Sequence, residues 1–381
     1  MTKINLLGLL WMLAAIGIAQ AQGRAPTEEV VYSFTQPTGY YPAAGVIGNS
    51  AGTLYGTTVY GGTANSGVVY KLDTSGYTVL YNFPGGVAGS QPYGGVIRDA
   101  AGNLYGTTRY GGGGDANMGV VYKLDTAGQE TVLHKFTGGA DGGETFAGVV
   151  RDQAGNLYGT TTSGGTGGAG VVYKVDTANQ YTVLHSFTGG ADGGFPKAGV
   201  ILDPSGNLYG DTNSGGTDGA GVVYKLDNTG QERVLYSFTG ADGAGPYGGV
   251  ILDPGGNIYG TTLSGGSGVE GVVYKLNTAG QETVLHNFTG GTDGGSPLAG
   301  VTLGPAGNLY GTTEFGGTDG QGVVYELDTT GHETVLHSFT GGADGGEPFA
   351  GVTLGPAGAL YGTTSAGGSA LQGVVFKVIP R

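Results

Sequence analysis

The side chains best placed to titrate near neutral pH are five histidines. His134, His185, His286 and His337 fall at one recurring position in Val-Leu-His-x-Phe, which Tyr32, Tyr81 and Tyr236 take elsewhere. A position that accepts His or Tyr alike reads as half-buried aromatic packing. His332 stands alone in a turn, with no nucleophile or acid partner in view. Carboxylates recur in Gly-rich loops: Asp141, Asp192, Asp242, Asp293 and Asp344 in one kind, Asp115, Asp218 and Asp319 in another. Calcium takes six to eight oxygens. One Asp per loop falls short of that, and Asp flanked by Gly is ordinary turn chemistry. No catalytic residue, metal or cofactor is therefore expected. The remaining chemistry is aromatic. Ala43, Tyr93, Phe146, Lys197, Tyr247, Leu298 and Phe349 precede a recurring Ala-Gly or Gly-Gly, and Val59-Tyr60, Arg109-Tyr110, Asn213-Ser214 and Glu314-Phe315 follow a recurring Thr-Thr or its variant. The repeat is most broken near its start. Tyr40, Tyr41, Tyr60, Tyr93, Arg109 and Tyr110, with Phe146 and Phe349, form the candidate ligand site. Rings with a polar edge beside a few polar groups suit a sugar or a peptide.

The elements that must position these residues are repeats. Asn-Leu-Tyr-Gly-Thr-Thr places its Tyr at 55, 105, 158, 209, 259, 310 and 361, with intervals of 50 to 53 residues. Gly-Val-Ile, Gly-Val-Val-Tyr-Lys-Leu-Asp and Val-Leu-His-Ser-Phe recur seven times each as well. Each is about five to eight residues long, rich in β-branched and aromatic residues, and bounded by Gly, Asn, Asp or Pro, which reads as a strand. Four strands per repeat of about 51 residues is the arithmetic of a propeller blade. Gly interrupts too often for a helical solenoid. The expected fold is all-β, a seven-bladed β-propeller of four-stranded antiparallel blades. Strand A is Gly-Val-Ile at the axis, B is Leu-Tyr-Gly-Thr-Thr, C is Val-Val-Tyr-Lys-Leu and D is Val-Leu-His-Ser-Phe at the rim. The chain opens on a D strand, Val30 to Phe34, and stops after a C strand, Gly373 to Ile379. The N-terminal strand is therefore expected to complete blade seven and close the ring. The long D-to-A and B-to-C loops should crown one face. The rim histidines cannot converge on one ion.

Composition agrees. Gly (86) and Pro (14) make about a quarter of the 381 residues, while only 12 % are charged, so the glycines punctuate apolar strands instead of marking disorder. The formal charge of -14 argues against nucleic acid, which needs clustered Lys and Arg. There is no Cys for a disulfide or a thiolate site. Residues 1–21 read as a signal peptide, with Lys3, an apolar run from Ile4 to Ile18, and Ala19-Gln20-Ala21. Residues 22–381 would form one domain, secreted or periplasmic, a monomer with no membrane span after cleavage.

Gly-Asn-Leu-Tyr-Gly-Thr-Thr, Gly-Val-Val-Tyr-Lys-Leu-Asp and Val-Leu-His-Ser-Phe-Thr-Gly-Gly-Ala-Asp-Gly-Gly, over residues 30 to 379, resemble the Gloeo-Verruco (GloVer) tandem-repeat, choice-of-anchor family of exported bacterial proteins. The resemblance implies export and a propeller and brings no established activity. No anchoring tail follows the last repeat here, which weakens a surface-anchored reading. The expected function is a binding or scaffold propeller that recognises carbohydrate or an extracellular protein on its loop-rich face. The alternatives are a polysaccharide-acting enzyme with acids on that face, or a structural cell-envelope protein.

Overall fold

The computed structural model describes residues 25–49, 51–113 and 117–380; the signal-like segment 1–21 and Asp115 lie outside these. Seven four-stranded antiparallel sheets form the blades, each in the order A-B-C-D. Blade two shows the pattern: Ile97–Arg98, Leu104–Thr108, Val120–Leu124 and Glu130–Lys135. In blade seven the N-terminal strand Thr27–Ser33 takes the D position, pairing Thr27 with Ile379 through to Ser33 with Val374. Thr363 and Thr353 then donate to the carbonyls of Ala44 and Val46, joining blade seven to blade one.

Both faces of each blade are covered, so the strands do not simply alternate. Each hydrophobic cluster spans two blades: Val69 and Phe83 of blade one pack with Val96, Leu104, Val120, Tyr122 and Leu124 of blade two. The Gly of Leu-Tyr-Gly-Thr lies under the strand C tyrosine. A Cβ on Gly56 would stand 2.5 Å from the Tyr70 hydroxyl oxygen, so the repeat excludes a side chain there.

Strand A is shorter than the sequence suggests, pairing over two residues in every blade except the fifth, where it runs Ala244–Leu252. Just before it, the backbone carbonyl turns out of the ladder and accepts from the preceding blade. Thr57 donates to the Gly94 carbonyl at 3.1 Å and Thr107 to that of Ala147 at 2.7 Å. The Thr-Thr pair thus does more than end strand B: its first hydroxyl staples one blade to the next beside the axis.

Candidate functional site

The two loop families do share one face. The D-to-A loop of each of six blades bridges the residues just after strand B of the same blade, as at Ser90 with Tyr110 and Gly295 with Phe315. At the centre of this face the channel opens into a cavity of about 210 Å³, lined by Tyr93, Phe146, Lys197, Tyr247, Leu298 and Phe349 beside small residues that include Ala43. Those seven are the residues that precede Ala-Gly or Gly-Gly, one from each blade.

Each mouth residue is set by a strained one two positions earlier. Tyr41, Gln91, Glu144, Phe195, Ser296 and Glu347 all have φ between 53° and 58°, and blade five has Gly245 at 64°. A non-glycine residue there carries a steric cost of roughly 1–2 kcal/mol. Backbone hydrogen bonds hold it: the Glu144 N–H donates to Met118 of the preceding blade, and its carbonyl accepts from Thr162 of its own.

The candidate site residues come together in two linked groups. Tyr60 stacks on Tyr40, with ring centroids 5.4 Å apart, and meets Tyr41 at 6.0 Å; Tyr41 in turn lies 6.5 Å from Phe349. Tyr93 lies 5.3 Å from Phe146. The Arg109 guanidinium sits over Phe146 (4.4 Å), Tyr110 (4.8 Å) and Tyr93 (5.4 Å), and 3.8 Å from the Glu144 carboxylate. Arg109 is therefore held by the protein's own groups. Burial, with Tyr60 and Tyr41 alongside, pushes the Tyr93 phenol up to about 12 against the pull of Arg109.

Three charged groups outside the candidate set complete this rim: Lys197 and Glu314, at positions the repeat already singled out, and Glu347, which it did not. Lys197 caps the Phe146 ring at 4.1 Å, and burial, then Arg109, lowers its pKa. Across the mouth are Glu314 and Glu347, with Tyr247 against Phe349 at 6.0 Å. Burial and then the Glu347 charge raise Glu314. Burial, Glu314, Tyr60 and Glu347 raise Tyr41. The mouth is thus bipolar: on blades two to four the cations Arg109 and Lys197 outnumber the acid Glu144, while blades six and seven carry the acids Glu314 and Glu347. One sequence signal was available: Glu-Thr-Phe at 144–146 and Glu-Pro-Phe at 347–349 repeat the same arrangement.

The rim histidines and loop aspartates form a separate, structural set. Asp141 accepts from the Thr137 N–H at 3.0 Å, and Asp192 from that of Thr188 at 2.9 Å. His134 packs edge-on against Phe136 and reaches Asp141 at 3.3 Å. In blade four Tyr236 packs on Phe238 the same way and donates to Asp242. His and Tyr interchange here because both pair a flat ring with a polar tip.

The sequence profile of the Gloeobacter/Verrucomicrobia repeat matches residues 18–153, 112–303 and 249–381. No curated protein matches the chain. Among solved structures, a puromycin hydrolase is similar at 13 % identity and a TM-score of 0.50, over 85 % of this chain and 50 % of that one. A Dyadobacter fermentans protein of unknown function is similar at 12 % identity and a TM-score of 0.48, over 93 % and 98 % of the two chains. The Aleuria aurantia lectin follows at 10 % and 0.41, over 78 % and 96 %. At these identities the likeness speaks to the propeller fold and not to what it does. Three overlapping matches across nearly the whole length place the chain in the Gloeobacter/Verrucomicrobia repeat family.

Proposed function

We propose that this protein is an exported binding module that takes carbohydrate or an extracellular protein at the mouth of its channel. The observation that carries this reading is the mouth itself. Strand C tyrosines such as Tyr70 and Tyr122 are fully buried, whereas Tyr93, Phe146, Tyr247 and Phe349 keep partly open rings around one cavity. A volume of about 210 Å³ holds one sugar ring or one side chain. Side chains are kept at a strained position in six blades although Gly245 shows that glycine fits there, and strain of this kind gathers at ligand clamps. Export rests on the leader-like residues 1–21.

The test uses protein recovered from outside the cytoplasm, whose first residue should be Gln22. It is screened on a glycan array and by pull-down of extracellular proteins. Tyr93→Ala should weaken whatever binds by about fivefold or more, the loss of roughly 1 kcal/mol expected of an anchor. Leu371→Ala, on the outer part of the same face and 69 % exposed, should leave binding unchanged. Equal losses in both variants, or none in Tyr93→Ala, would count against the mouth.

A polysaccharide-acting enzyme is the second reading, favoured by one observation: Glu314, raised by burial, faces a second acid, Glu347. Release of reducing ends from polysaccharide, lost in Glu314→Gln, would support it.

A further inference from the structure

The repeat supplies its own control for the mouth, because blades two and three can be laid over blades six and seven. Arg109 and Glu314 hold the same position: each N–H donates to the carbonyl of the strained residue in its own blade, Arg109 to Gln91 at 3.0 Å and Glu314 to Ser296 at 3.2 Å. Glu144 and Glu347 match, with φ of 57° and 53°, and their N–H groups donate at 2.8 Å to Met118 and Gln321 of the preceding blade. Phe146 and Phe349 match as lining of the cavity. Tyr110 and Phe315 match as the bridged residue after strand B.

In blades two and three this cradle holds a cation. The Arg109 guanidinium lies 4.4 Å over Phe146, 4.8 Å over Tyr110 and 3.8 Å from Glu144. In blades six and seven the residue at the arginine position is an acid. Neither Glu314 nor Glu347 takes part in an ion pair among the described residues. Phe315 is 46 % exposed, whereas Tyr110 is half-buried. Tyr41 and Tyr247 close in from either side of Phe349. The protein thus fills one cradle with its own arginine and leaves the equivalent one with aromatic faces, two carboxylates and, among the described residues, no cation.

We propose that the blade-six and blade-seven side of the mouth binds the cationic tip of a basic side chain on a protein segment. Glu314 and Glu347 are its counter-ions and Phe315, Phe349 and Tyr41 its aromatic walls. This inference rests on the reading of the mouth as a binding face and names what that face selects. Aromatic rings attract a cation over their faces and carboxylates pair with it, most strongly where water is partly excluded. Arg109 shows that a guanidinium on an alkyl stem fits such a cradle. The cavity accommodates one such side chain, and the formal charge of -14 steers basic partners toward the protein.

The probe is a blocked Gly-Arg-Gly peptide, compared with its citrulline counterpart, which keeps the shape and loses the charge, and with a glucosamine tetramer. Binding to the mature protein is read by titration calorimetry. The arginine peptide should bind about tenfold tighter than the citrulline peptide, and Glu314→Gln and Glu347→Gln should each cut its affinity by about fivefold. Glu314→Arg should abolish binding while keeping the melting temperature, because the protein then fills the second cradle itself. Three outcomes overturn the proposal: equal affinity for the citrulline peptide, full binding by Glu314→Arg, or no binding of the arginine peptide. Tighter binding of the glucosamine tetramer would also overturn it, in favour of an amino sugar. The screen with Tyr93→Ala still decides the binding-face reading in each of these cases, so the two can fail separately.

Discussion

Asp211 shows how much one residue can move a neighbour. In the other six blades its place is held by Thr, whose hydroxyl donates to a carbonyl at the start of the next blade. An ionised carboxylate cannot donate, and the adjoining peptide is turned. The Gly248 carbonyl accepts instead from the Gly300 N–H at 3.0 Å, and Gly249 has φ of +78°, unlike its counterparts. The Gly249 N–H then becomes a group that favours the Asp211 charge. Only glycine permits this turn, and a Cβ on Gly248 would collide with the backbone of Ala299 and Gly300. The accommodation is incomplete. Asp211 is 1 % exposed, its carboxylate oxygens have no aligned partner, and burial pushes it up to about 7. A carboxyl raised on folding favours the fold below its unfolded pKa, and that contribution is lost as pH rises through the folded value. Asp211→Thr should therefore raise the melting temperature, by more at pH 8 than at pH 5, because holding a carboxylate ionised where its pKa is one higher costs about 1.4 kcal/mol. A fall at pH 8 would refute this account. Asp211 stands where the other six copies of Leu-Tyr-Gly-Thr-Thr have their first Thr, a difference visible along the chain. Its partner was not legible because Gly248 and Gly249 belong to another repeat.

The N-terminal strand is the element with most at stake. Its pairing with Val374–Ile379 covers what would otherwise be an open edge, and Phe34, just beyond it, is fully buried among Val46, Leu54, Tyr70 and Val375. Deleting residues 27–35 removes both the edge cover and that side chain. Losing a buried Phe alone costs about 3–5 kcal/mol, and exposed edges pair with other chains. The deleted protein should melt lower and elute as aggregates in size-exclusion chromatography. An unchanged monomer would mean that the ring does not need this strand. Closure was readable from order along the chain, because a leading D and a terminal C must meet. Strand A was not readable in length, because its carbonyls serve the neighbouring blade.

At the scale of the whole ring, charge burial sets the pH response. Burial pushes Glu28, Glu232, Glu282 and Glu333 up to about 7, helped by Asp344, Asp192, Asp242 and Asp293 respectively. Each stands on a strand D beside a loop from the preceding blade, so the effect repeats around the rim. With Asp211, these groups give stability that is full below about pH 3.8 and lost as pH rises through 7. His134, His185, His286 and His337, lowered by burial, act oppositely: their contribution is present above about pH 6.5 and lost on acidification. The acids are displaced further from their ordinary range and should win. The melting temperature should fall between pH 5.5 and pH 8, with calorimetry as the check, and a rise over that window would show that the histidines dominate.

By itself the sequence determined the architecture. Strand count, blade count, ring closure and the face bearing the loops follow from period, turn residues and strand order, which are local properties repeated seven times. It also singled out the seven varying residues that line the cavity, since departures from a repeat are visible without coordinates. Tertiary structure decided which departures meet. That Arg109 is spent on Glu144 and Phe146, that Lys197 shares the Phe146 ring, and that Glu314 and Glu347 stand together with no cation among the described residues all depend on neighbours one blade away. A repeat of about 51 residues separates such partners along the chain, and only the turn of the ring, with one blade packed on the next, brings them within reach of one another.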